Sequence, residues 1–144
     1  FTVYEVGTVK PVELDSGSTR TYVAVDGGMS DNIRAALYDA DYSCTLANRR
    51  SSAEAVLARV VGKHCESGDI LVKDEFLPGD VRPGDLIAVP ATGAYARSLA
   101  NTYNHVPRPP VVAVRDGRAR VVVRRETEDD LLRFDVDDWW PPRC

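Results

Sequence analysis

The stretch "VVAVRDGRARVVV", residues 111–123, decides the fold class. Asp116-Gly117 sits between two apolar runs, and a two-residue connection of this kind is a type I′ turn, since both central residues must take positive φ. The turn sets the register: Arg115 faces Arg118, Ala113 faces Arg120 and Val112 faces Val121. Side chains alternate across a strand, so Val112, Val114, Ala119, Val121 and Val123 share one face. Arg115, Arg118 and Arg120 share the other. The arginines then read as the solvated face of a hairpin, with a phosphate-binding patch as the alternative.

The same period of two extends through the chain. Strands are expected over Thr2–Leu14, Thr21–Val25, Ala53–Val61, Ile70–Leu77 and Leu86–Val89. Asp26-Gly27-Gly28 ends the second of these as a turn signal. Pro78-Gly79-Asp80 and Pro83-Gly84-Asp85 read as type II turns, with glycine at the positive-φ position. Two short helices are expected. Thr127 caps an acidic first turn at Glu128-Asp129-Asp130, and Asp31 can cap a second over Ser30–Tyr38. Short strands with frequent turns indicate a mainly-β chain: a Greek-key β-barrel or sandwich with one or two short helices. Residues 1–144 fit a single domain.

Composition narrows the function. The net charge of −4 does not suggest a nucleic-acid partner. No apolar run approaches the ~20 residues of a membrane span. Phe1-Thr2-Val3-Tyr4 already reads as strand, so no signal peptide is expected. The chain starts without Met, and a fragment or processed chain is the expectation. Cys44, Cys65 and Cys144 are odd in number and irregular in spacing, which argues against a disulfide framework. No Cys-x-x-Cys or His-x-x-x-His pairing suggests zinc. A reducing, cytoplasmic compartment follows.

Three polar segments lie between the apolar strands, where a rigid scaffold usually carries its sites. In "VDGGMSDNIRAALYDA" (25–40), Arg34 and Tyr38 are four apart and share a helix face. They offer a carboxylate fork and a hydroxyl, unless Arg34 merely pairs with Asp31. In "GKHCESGD" (62–69), the Cys65 thiol could donate a proton or attack as thiolate, or it could be a core residue. A His64–Cys65 dyad is disfavoured, because neighbours on an extended chain point to opposite faces. Cys44 reads as core. In "GAYARSLANTYN" (93–104), Tyr95 follows Gly93 and is either a site residue or a packed ring with a satisfied hydroxyl.

Taken together, "VDGGMSDNIRAALYDA", "CESGD" and "GAYARSLANTYN", with the flanking "TVYEVGTVK" and "VVVRRETEDDLLRFD", resemble the C-terminal domain of the diaminopimelate decarboxylases. These are pyridoxal-phosphate enzymes of the alanine-racemase-like fold type. The resemblance covers nearly the whole chain. It departs at Ala35 and Lys63, where the family usually has proline, and at Leu99, where it commonly has Met.

The resemblance implies a two-domain enzyme. A (β/α)₈ barrel, absent from this chain, would hold most of the pyridoxal 5′-phosphate on a Schiff-base lysine. The β-domain would complete the site at a homodimer interface and would be inactive alone. It also implies a strand borrowed from the far N-terminus, without which a sheet edge would stay open. By the same resemblance Cys65 is the catalytic proton donor and Glu66 binds the distal ammonium of meso-diaminopimelate. Arg34 and Tyr38 bind its distal carboxylate, and Tyr95 lines the substrate site and binds the cofactor phosphate. Two alternatives stay open: a related decarboxylase acting on ornithine, arginine or carboxynorspermidine, and a non-catalytic β-barrel binding module.

Overall fold

The computed structural model describes residues 1–136 and divides into two compact units, Phe1–Asn101 and the segment beginning at Thr102. Cys144 lies outside the described residues.

In the first unit, strands β1 (Thr2–Glu13), β2 (Thr19–Val25), β3 (Thr45–Leu46), β4 (Ala55–Val61), β5 (Ile70–Pro78) and β6 (Leu86–Val89) form one sheet ordered β3-β6-β1-β2-β4-β5. All neighbours are antiparallel except β2 and β4. Strand β1 does two jobs. Thr2–Glu5 pairs with β6, and the chain beyond pairs with β2 after a register shift between Val6 and Thr8. Bulges of this kind bend a strand and increase its twist, and here β1 turns a corner at Gly7. The two ends of the strand order approach each other: β3 touches β5, and the Cys44 N–H donates to Glu75 on β5 at 3.2 Å. The sheet is therefore a nearly closed barrel, as the strand pattern led us to expect.

The period of two delivers the core. Tyr4 and Val6 of β1, Val23 and Val25 of β2, Ala58 and Val60 of β4, and Ile87 and Val89 of β6 alternate inward and are buried together with Leu71, Val72 and Leu77 of β5. Each fully buried aliphatic side chain contributes about 1.5–3 kcal/mol. Cys44 packs against this core, and burial pushes its thiol up to about 12.

Three short helices are present among the described residues: α1 (Arg34–Tyr38), α2 (Gly93–Leu99) and α3 (Glu128–Leu132). That is one more than the sequence suggested, because "GAYARSL" forms α2. α1 is also shorter than Ser30–Tyr38. Asp31 does not cap it, since its carboxylate is engaged elsewhere. The two Pro-Gly-Asp turns differ. Gly84 takes φ +85, as a type II turn requires, but Gly79 does not adopt positive φ. The Val81 N–H donates to Pro78 O, so Pro78 opens its turn rather than occupying the second position.

The second unit holds the hairpin β7 (Val111–Arg115) and β8 (Arg118–Val123). Asp116 and Gly117 have φ of 52° and 71°, and the three facing pairs are those the turn dictates. The arginine face is solvated, as expected, but the valine face is open too: Val114 is 73% exposed and Val121 57%. Thr127 caps α3 reciprocally with Asp130 in a capping box.

Candidate functional site

The first unit ties the three polar segments together, starting from two buried carboxylates that anchor the turn after β2. Asp31 faces inward. It accepts from Tyr4 Oη at 2.6 Å and from the Gly28 N–H at 2.7 Å. Burial pushes the Asp31 carboxyl above its ordinary value, with the two hydrogen bonds acting against that rise. Burial likewise pushes Tyr4 up, reinforced by the neighbouring Asp31 charge. A buried carboxylate needs such partners.

Asp69 is the second clasp and is 3% exposed. Its Oδ1 accepts from the Met29 N–H at 2.7 Å, and its Oδ2 from the His64 N–H at 2.8 Å. One side chain thus ties the turn after β2 to the β4–β5 connection that carries Cys65. A Cβ on Gly28 would meet Asp69 Oδ2 at 2.6 Å, and one on Gly62 at 2.1 Å. A Cβ on Gly27 would stand 2.3 Å from the Tyr4 ring. Neither Gly27 nor Gly28 has positive φ. Glycine is needed at these positions for room, and the turn signal read from "DGG" has a packing cause.

Ser30 closes the arrangement. Its Oγ lies 2.9 Å from His64 Nε2, and its carbonyl accepts from the Asn101 N–H, just beyond α2, at 2.8 Å. His64 is therefore buried and holds the connection in place, while Cys65 and Glu66 beside it are exposed. The chain bends at 63–65 rather than running extended, so the contrast here is one of burial between the two neighbours.

The candidate residues stand on this frame. Arg34 opens α1, and its guanidinium lies over the Tyr95 ring of α2, 5.1 Å from the centroid. The alternative pairing of Arg34 with Asp31 does not occur. Among the described residues no carboxylate lies within ion-pair distance of Arg34. Tyr38 ends α1 and is 60% exposed. Lys73 of β5 pairs with Asp39 and, at 3.6 Å, with Asp41, which fastens the end of α1 to the sheet. The sequence treated Arg34 and Tyr95 as members of separate segments; the fold puts them in contact.

A concavity of about 190 Å³ is lined by Glu5, Gly7, Asp26 and Lys63 among others, and by none of Arg34, Tyr38, Cys65, Glu66 or Tyr95. Those five occupy exposed or half-buried surface. Among the described residues no cluster of His, Cys, Asp or Glu is placed to hold a metal ion. No helix there is long and apolar enough to cross a membrane.

A nearly closed barrel of this strand order, with three polar segments tied together beside it, is the fold of a recognisable class. The family model for the pyridoxal-dependent decarboxylases, C-terminal sheet domain, matches residues 1–93, and the chain belongs to that family. More particularly, it is similar to diaminopimelate decarboxylases. It is 62% identical over 136 residues to that of Mycobacterium tuberculosis (strain ATCC 25618 / H37Rv), covering 94% of this chain and 30% of that protein. With the enzyme of Bacillus subtilis (strain 168) it shares 51% identity over 135 residues, 94% of this chain and 30% of the relative. Among solved structures, diaminopimelate decarboxylase from M. jannaschii in co-complex with L-lysine superposes with a TM-score of 0.81 at 31% identity, over 97% of this chain and 30% of that one. The Helicobacter pylori enzyme complexed with L-lysine gives 0.77 at 35% identity, over 91% and 30%. The chain thus spans about 30% of the length of the curated relatives it matches.

For a pyridoxal phosphate this unit offers a candidate contact rather than an anchor. Tyr95, 63% exposed on the first turn of α2, can offer its hydroxyl to a phosphate oxygen. The lysines do not form an anchor beside it: Lys73 is engaged by Asp39, and Lys10 and Lys63 are exposed on β1 and the β4–β5 connection.

Proposed function

We propose that this chain is the substrate-completing domain of a diaminopimelate decarboxylase, which converts meso-diaminopimelate to L-lysine and CO₂. One observation carries the reading. Ser30, Asp69 and the Arg34–Tyr95 contact bring together the three segments that hold the candidate residues, on surface rather than in a cavity. Such a rim suits a site whose remaining walls lie on another domain or subunit.

In this reading Arg34 receives the distal carboxylate bidentately, a geometry lysine cannot offer, and Tyr38 adds a hydroxyl. Glu66 holds the distal ammonium. Tyr95 lines the substrate site and donates to the cofactor phosphate. When bound, the pyridoxal group supplies a sink for the electron pair left on the α-carbon as CO₂ departs. Cys65 then gives its thiol proton to that carbon, and the thiolate recovers a proton from water. The cofactor is held mainly by the enzyme's own N-terminal barrel, and the site is shared within a homodimer in a reducing, cytoplasmic compartment. The chain by itself is inactive and does not hold the cofactor stably.

In the full-length enzyme, Cys65→Ala should lower kcat about 10²–10⁴-fold, as loss of a general acid does, with the protein still folded. Product formation at the wild-type rate would reduce Cys65 to a packing residue.

A further inference from the structure

The geometry points to Tyr95 as a positioning residue that sets substrate specificity through its ring, independently of its hydroxyl. Its ring holds the Arg34 guanidinium in the plane that receives the distal carboxylate. The inference rests on the substrate reading above.

Three observations carry it. The guanidinium lies over the Tyr95 ring at 5.1 Å from the centroid. A ring attracts a guanidinium through its face, whereas all five N–H donors of arginine point outward in its plane. A guanidinium laid flat on that face would be fixed without consuming a donor. Second, no described carboxylate pairs with Arg34, and Asp31, three residues away, is already satisfied by Tyr4 and Gly28. The planar fork faces no competing anion from its own turn. Third, both partners have anchored backbones. Gly28, at the head of the turn that leads into α1, donates to Asp31, and Ser30 in that turn accepts from Asn101 beyond α2. The ring and the fork are thus held in register by the frame, which is the pre-organisation that carboxylate selection needs.

The chemistry of the reaction supplies the probes. Decarboxylation at one end of meso-diaminopimelate leaves the carboxylate and ammonium of the other end on L-lysine. L-Lysine therefore reports on the distal carboxylate contact, and cadaverine, which lacks that carboxylate, does not. The affinity of the full-length holoenzyme for each is the quantity to measure, by calorimetry. Tyr95→Leu removes ring and hydroxyl, and Tyr95→Phe removes the hydroxyl alone. Tyr95 is largely exposed, so neither substitution opens the core.

Tyr95→Leu should weaken L-lysine about 3- to 30-fold more than Tyr95→Phe does, while the two variants should bind cadaverine alike. In an Arg34→Ala background that difference between Leu and Phe should disappear. Equal weakening by Phe and Leu, or a difference between them that persists in the Arg34→Ala background, would overturn the ring's role and leave the substrate reading standing. Unchanged L-lysine affinity in Arg34→Ala alone would overturn the substrate reading itself, and this inference with it.

Discussion

Two arginines of the first unit sit in opposite circumstances. Arg49 has its donors engaged: Nε and Nη2 reach Asp85 at 2.9 and 2.8 Å, Nη1 reaches Asp80 Oδ2 at 2.9 Å, and Nη2 also reaches the Asp80 carbonyl at 2.8 Å. Ser51 and Asn48 complete the clasp, which binds both Pro-Gly-Asp turns to the start of β6. Arg34 lies over the Tyr95 ring, and among the described residues no carboxylate is within ion-pair distance of it. The difference separates a cation that holds the fold from one that, in the proposed function, receives a ligand. The buried carboxylates divide in the same way. Asp85 is matched to a cation, while Asp31 and Asp69 are matched to backbone amides and to Tyr4, so they shape the site without neutralising its arginine.

The largest effect should come from disturbing the frame under the site. Gly62→Ala drives a Cβ into the Asp69 carboxylate, which is buried and doubly bonded and cannot swing away. Overpacking of this kind costs about 1–3 kcal/mol, and the displaced Cys65 loop should lower kcat in the full-length enzyme as well. An unchanged melting curve with unchanged kcat would mean that Asp69 does not set the loop.

Next comes a direct exchange of the two arginines' roles. Arg34→Ala should raise KM for diaminopimelate roughly 10- to 100-fold, the worth of charged hydrogen bonds, and shift stability by no more than about 0.5 kcal/mol. Arg49→Ala should do the reverse, lowering the unfolding midpoint because Asp85 is left buried without its cation, with KM unaffected. Thermal melts and steady-state kinetics on the same pair of variants decide it. The opposite pattern would collapse the distinction.

How much of this was legible in the sequence follows from which interactions are local. The hairpin at Asp116-Gly117, the capping box at Thr127 and the strand periods of β1, β2, β4, β5 and β6 depend on residues a few positions apart, and all were readable. Arg34, Tyr38, Cys65, Glu66 and Tyr95 could be nominated from motif and resemblance. Their support could not. Asp31 looked like a helix cap because a cap is the commonest local use of aspartate, whereas its partner Tyr4 lies 27 residues away. Asp69 reaches Met29 across 40 residues. No period or spacing announces such contacts. One hint was available: two adjacent glycines followed later by Gly62 could have signalled close approach as well as a turn. The helical composition of "GAYARSL" after Thr92 was also a usable signal for α2.

The smallest expected effect lies in the pH dependence of stability. Arg49 holds the Asp85 and Asp80 carboxyls below their usual range. Their folded values lie under the unfolded one, so this contribution is complete above the ordinary aspartate value of about 3.9 and is lost as pH falls toward the folded values. Asp31, raised by burial, has the opposite sign: its contribution is fullest in acid and declines as pH rises through the unfolded value toward its folded one. The wild-type unfolding midpoint should therefore drop below about pH 4, and Arg49→Ala should show a shallower acid loss. Parallel acid limbs would remove the clasp from the account.

In the proposed homodimer this rim, led by Cys65, completes the site of the partner subunit, whose own N-terminal barrel holds the cofactor there. Mixing two inactive full-length variants tests it most directly: Cys65→Ala, and a variant lacking the cofactor-anchoring lysine of the N-terminal barrel, with subunits allowed to exchange. In a mixed dimer one shared site regains both intact contributors, so activity should recover toward roughly a quarter of wild type. A mixture that stays as inactive as its parents after verified subunit exchange would contradict the account.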